Sequence, residues 1–179
     1  MSEKSSKFAM RAKLIVEAYI ENNYSDYGIN QNISDSSELN EIPWSEWFEI
    51  WLFELKENLP PASSYELSLR LTSDREIARF NHQYRQKDRP TDVLAFANLE
   101  SELISLEFTE SLYLGDLIIS LDTANEQARE QKHSLVTEIT WLATHGLLHL
   151  LGWDHPDDDN LNKMLKKQAN LLKLVKITK

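Results

Sequence analysis

Three histidines within eleven residues, His145, His149 and His155, are spaced so that one helical turn and one glycine bend can bring their rings around a single cation. His145 and His149, four apart, lie on one face of a helix. Gly152 can end that helix in a left-handed conformation and turn the chain so that His155 returns towards the other two. Three protein nitrogens leave a fourth coordination position open, which distinguishes a catalytic zinc site from a sealed structural one. Two histidines at this spacing on an apolar helix are ordinarily packed or surface residues. Here, however, the stretch holds three of the chain's five histidines and two of its four glycines. The pattern points to a metal-dependent hydrolase with one Zn²⁺ per chain, His₃ chemistry favouring zinc or nickel-like ions. His82 and His133 lack partners at such spacing and are expected at the surface or at caps.

Gly146 separates two reaction classes. The spacing HxxxHxxGxxH is shared with zinc peptidases of the metzincin type, which place a glutamate directly after the first histidine as general base. Here that position is glycine, so a zinc metalloprotease remains only as the alternative. Glycine inside a helix costs about 1 kcal/mol relative to alanine, and its presence suggests that room is needed beside the metal.

The net charge of −10 argues at first against a polyanionic partner, but the charge is segregated. Residues 70–89 carry six cations against three acids, and residues 160–179 carry six lysines and no acid. Arg85 suits the grip on a phosphoryl group, with a surface ion pair to Asp88 or Asp92 as the lesser alternative. Arg79, Lys87 and Arg89 are further candidate phosphate contacts. Asp154, beside the third histidine, could orient an imidazole or cap a helix. A lysine-rich terminal helix is also what a solvated face looks like.

The elements that must position these residues are legible from periodicity. Lys13 to Glu21 alternates as a half-buried strand, with Leu14, Val16, Ala18 and Ile20 inward. From Trp44, the apolar positions Trp47, Phe48, Trp51, Leu52 and Leu55 mark an amphipathic helix ended by Leu59-Pro60-Pro61. Tyr65, Leu67, Leu69 and Leu71 mark a strand. Ser73 or Asp74 can cap a helix carrying Ile77, Phe80 and Tyr84 on its inner face. Val93 to Leu99 and Leu112 to Leu121 read as two more strands. Asp122 and then Ser134 can cap two helices, the second, Leu135 to Leu151, apolar nearly all round and therefore buried. A last helix follows Pro156. The expectation is one α+β domain over residues 1–179, with a mixed sheet of about four strands and about five helices. The length suffices for a core, and with no cysteine and no secretory or membrane-spanning segment a cytoplasmic setting is expected.

Two blocks also resemble a known family. The run His145 to His155 resembles the HGxLHLxGxDH signature of the YbeY family, the single-domain bacterial endoribonucleases of ribosomal RNA maturation. Tyr84 to Phe96 resembles that family's YRGKDKPTDVLSF, and Leu114 to Ser120 resembles its strand before the motif helices; the matches span about residues 65–175. Gln86 stands for a glycine, Arg89 for a lysine, Ala95 for a serine and Ala97 for a proline, so the loop after Arg85 is expected to be less flexible. The resemblance implies zinc on His145, His149 and His155, with Arg85 and His145 as catalytic residues. The implied activity is single-strand-specific cleavage in maturation of the small-subunit rRNA 3′ end, in ribosome assembly and quality control. Partners would be precursor rRNA and the small ribosomal subunit or its assembly factors, without membrane or DNA. A non-catalytic assembly factor with a structural metal stays open. The nucleophile expected is water activated by the cation rather than the substrate's own 2′-hydroxyl. The polar stretch from Asn22 to Ile42 and the acidic loop from Glu100 to Glu110 match nothing and carry no functional expectation.

Overall fold

Alternation along Ala62–Thr72 (β2) sends Tyr65, Leu67, Leu69 and Leu71 into the core and Glu66, Ser68 and Arg70 to the opposite face. This strand is central in the computed structural model, which describes residues 14–24, 33, 37–98 and 109–179. Lys13, Leu99 and most of the polar stretch and acidic loop lie outside the described residues. Ile15–Asn22 (β1) runs parallel to β2 as an edge strand, and Thr109–Ser120 (β4) runs parallel to it on the other side. Val93–Ala97 (β3) closes the sheet antiparallel to β4, giving the order β1-β2-β4-β3. The mixed α+β sheet is thus as expected, with Leu121 beginning a helix instead of ending β4.

After the short turn Ser37–Asn40 (α1), the helices are Trp44–Glu54 (α2), Asp74–Arg85 (α3), Leu121–Gln131 (α4), Leu135–Leu150 (α5) and Asp158–Leu174 (α6). One core joins α2, α5 and α6 to a single face of the sheet through Phe48, Trp51, Leu69, Leu117, Leu147 and Leu171. Trp51 also donates its indole N–H to the Leu171 carbonyl at 3.0 Å, tying α2 to α6. On the other face a smaller cluster, Ile77, Leu94 and Ile118, seats α3, with Phe80 and Phe96 packed against it.

The caps follow serine chemistry. Ser73, Ser120 and Ser134 each accept from the backbone N–H three residues on, and Asp157 does the same for α6. Asp122 is not the cap of α4. Its carboxylate instead accepts from the Asp74 N–H at 2.9 Å, at the start of α3, and from the Tyr24 hydroxyl at 2.6 Å. Tyr84 lies on the sheet-facing side of α3, its ring against Phe96 of β3, but it is not buried there: it is 59% exposed.

Candidate metal centre

Helix α5 is buried for most of its length, and its C-terminal end carries the first two imidazoles. It stops where expected. The Trp153 N–H bonds the Leu148 carbonyl at 3.0 Å and the Gly152 N–H bonds the His149 carbonyl at 3.0 Å, with Gly152 at φ +81°. This is the Schellman closure, and it needs a residue free to adopt left-handed backbone. The chain then doubles back, and Asp154 Oδ1 accepts from the His155 backbone N–H at 2.8 Å, holding the returning segment.

The three rings converge. Their centroids lie 4.6 Å apart for His145 and His149, 5.6 Å for His145 and His155, and 5.3 Å for His149 and His155. Each offers a ring nitrogen within 4.8 Å of the others. The Nε2 atoms of His145 and His149 are 3.1 Å apart, close to the roughly 3.3 Å between two nitrogens on one tetrahedral zinc ion. The residues fit a divalent cation.

Protonation agrees with that fit. Burial lowers the His145 pKa, and the neighbouring His155 adds to the effect, while the Gln168 hydrogen bond and the Asp92 charge oppose it. Burial likewise lowers the His149 pKa, reinforced by His145 and His155. Both rings are thereby held neutral, the form in which imidazole binds metal.

Gln168, fully buried on α6, supplies what spacing alone did not disclose. Its Nε2 donates to the Trp141 carbonyl at 3.0 Å, so its Oε1 is the atom facing His145 Nδ1 at 3.3 Å. His145 therefore carries its proton on Nδ1 and presents a free Nε2 to a cation. The available signal was an amide lying between Leu161, Leu165 and Leu172 in the apolar stripe of α6.

Gly146 plays a part beyond the one expected. A Cβ built there would meet Leu117 Cδ2 at 2.6 Å and Val93 Cγ2 at 3.3 Å. The missing side chain makes room for α5 against β4 and β3, and Gly146 also lines the cavity of the three histidines. A glutamate at this position would start towards the sheet.

Arg85, the last residue of α3, lines the same cavity of about 790 Å³ as the three histidines. It has no ion pair among the described residues, since Asp88 pairs with His82 at 2.5 Å and Asp92 is taken by the Val93 N–H at 2.8 Å and Gln127 at 3.1 Å. Gln86 ends α3 at φ +56°, keeping the left-handed cap that glycine would adopt freely. Buried Asn81 then fixes the following loop by donating to the Arg89 carbonyl at 2.8 Å. Lys87 and Arg89 are exposed and do not line the cavity; Arg79 lines a separate depression with His82 and Asp88. His82 is exposed, but His133 is not a plain surface residue. It is largely covered, with Nε2 2.9 Å from buried Glu138, which Lys179 also reaches at 2.8 Å.

Fold and site together define an α+β protein with a three-histidine group able to hold a metal ion. The family model of endoribonuclease YbeY matches residues 29–176, and the chain belongs to that family. Among its relatives, the endoribonuclease YbeY of Picosynechococcus sp. is 57% identical over 78% of this chain and 86% of its own length. That of Trichormus variabilis is 54% identical over 79% and 81%, and that of Acaryochloris marina 45% identical over 82% and 84%. The solution structure of TM1509 from Thermotoga maritima superposes with a TM-score of 0.54 at 25% identity, covering 90% of this chain and 89% of that one. No helix among the described residues is long and apolar enough to cross a membrane.

Proposed function

We propose that this chain is a zinc-dependent endoribonuclease that cuts single-stranded RNA, acting in the cytoplasm on precursor ribosomal RNA during small-subunit maturation. The observation that carries the reading is an arginine with no ion pair among the described residues in the same cavity as three converging imidazoles, two of which, His145 and His149, have pKa values lowered by burial. The names of the relatives support the substrate class. The ribosomal setting, with the small subunit or its assembly factors as partners, rests on the family resemblance alone.

His145, His149 and His155 would hold the ion, which when bound supplies Lewis acidity to water and to a phosphoryl oxygen near neutral pH. Gln168 keeps the His145 proton on Nδ1. Asp154 holds the backbone of His155. Arg85, always charged, grips the phosphate through two parallel hydrogen bonds and stabilises the charge that grows on its oxygens as the bond breaks. Asp92, turned by Val93 and Gln127, adds negative charge near His145. Lys87, Arg89 and Arg79 would meet the strand farther out. With glycine at position 146, the residue after His145 offers no carboxylate for a peptidase's general base.

Metal analysis of purified protein, with single-strand RNA cleavage assayed with and without chelator, tests the reading. Near-stoichiometric zinc and chelator-sensitive cutting are expected. His149→Ala should lose both, and Arg85→Ala should keep zinc while losing roughly a hundredfold or more in turnover. RNA left intact by zinc-loaded wild-type protein would end it.

A further inference from the structure

Tyr84 stands at a boundary. It precedes Arg85 on α3 and lines two hollows at once: the histidine cavity, and a groove of about 640 Å³ on the sheet face that α3 only partly covers. At 59% exposure it is more open than Tyr19, which also lines that groove. Its ring is nevertheless held, with its centroid 4.8 Å from that of Phe96 and 6.5 Å from that of Phe80, nearly parallel to the latter. A fixed aromatic face turned to solvent costs free energy unless something planar and apolar comes to cover it.

The charges on either side of the ring differ. In the groove, Arg70 is already paired with Glu21 at 2.7 Å and with Glu76 at 3.2 Å, and Asp116 adds another carboxylate, so a phosphate is disfavoured there. In the histidine cavity, Arg85 is available to a phosphate. A nucleic-acid strand can therefore keep its backbone on the Arg85 side and turn a base across Tyr84. Single-stranded RNA is commonly held in this way, its unstacked bases lying on aromatic rings.

We propose that Tyr84 stacks on the base next to the scissile phosphate of single-stranded RNA, turning that base out of the histidine cavity towards the groove; this rests on the endoribonuclease reading above. Stacking needs a ring face and not the hydroxyl. Tyr84→Phe and Tyr84→Trp should therefore cut as wild type does, while Tyr84→Ala and Tyr84→Leu lose about tenfold in kcat/KM.

The test is steady-state cleavage by the zinc-loaded full chain on a single-stranded RNA oligonucleotide, alongside copies made abasic at each nucleotide flanking the cut. One abasic position should cost wild type the same factor that Tyr84→Ala loses, and should cost Tyr84→Ala nothing more. Zinc content and Tm should be equal across all variants, which a purely packing role for the ring would not give. Wild-type kcat/KM in Tyr84→Ala, an equal loss in Tyr84→Phe, losses that multiply at every abasic position, or a Tm drop that tracks the activity would each overturn the stacking role while leaving the enzyme assignment intact. Failure of zinc-loaded wild type to cut the RNA would instead remove both.

Discussion

The two faces of the sheet are filled to different degrees. Beneath α2, α5 and α6, the side chains of Leu67, Leu69, Leu117 and Leu147 have no exposed surface. Opposite, α3 is the one helix among the described residues that covers part of the sheet, and Ser68, Arg70, Tyr113 and Asp116 line an open groove. Those polar groups serve one another. Tyr113 donates to Asp116 Oδ1 at 2.7 Å, Ser68 donates to the same oxygen, and burial first, with Asp116 adding to it, pushes the Tyr113 hydroxyl up to about 12. The difference is mechanical. The packed face immobilises α5, and the imidazoles at its end inherit that rigidity; the open face leaves polar and aromatic surface that the fold does not consume.

Substitutions on the two faces should therefore differ sharply in cost. The largest effect is expected from Gly146→Glu, which drives a carboxylate into Leu117 and Val93 and should cost ~3–5 kcal/mol in chemical denaturation. A stable Gly146→Glu protein would mean that α5 is less tightly seated than its burial indicates. Next comes Gln168→Leu, which keeps the packing but strips His145 of its acceptor; zinc affinity, measured by competition with a chromogenic chelator, should weaken about 10–100-fold.

A smaller effect is expected from pH on the metal-free protein. His145 and His149 have pKa values lowered by burial, so the unfolded chain binds protons more readily than the folded one as pH falls from the ordinary histidine value of about 6.5. Their contribution is fully present above that value and is lost as pH falls towards their folded pKa values. Denaturation midpoints recorded downward from neutral pH should fall, and fall less in His145→Phe; identical curves would show that the rings are not held neutral. The smallest effect should come from Arg70→Ala on the open face, within about 1 kcal/mol, because Glu21 is more than half exposed and water screens that pair, while Glu76 keeps the Thr72 hydroxyl as a partner. A loss of several kcal/mol there would erase the distinction between the faces.

The sequence disclosed the packed face well because burial on one side imposes a strict alternation. Tyr65, Leu67, Leu69 and Leu71 could be assigned without any knowledge of their neighbours. The convergence of the three histidines was equally plain, since a helix repeat and a glycine stop are local properties. What failed was whatever depended on a distant partner. Tyr84 follows Phe80 by four residues and reads as inward, but whether that face is covered depends on where the sheet ends. Gly146 has its neighbours on β3 and β4, and Gln168 takes its meaning from a histidine 23 residues earlier on another helix. Asp122 is a reasonable cap by type. Ser120, two residues before it, took the position, leaving the aspartate to a helix 48 residues away.

The Schellman turn at Gly152 has one more consequence. Because His155 returns only ten residues after His145, an ion held there would tie off a very short loop. Closing a short loop removes little disorder from the unfolded chain, and the turn itself is already fastened by its own backbone hydrogen bonds. Such an ion would thus be a passenger of the architecture and not one of its rivets. A chain stripped by chelator should keep its tertiary structure, unlike a zinc finger, in which ion and fold depart together.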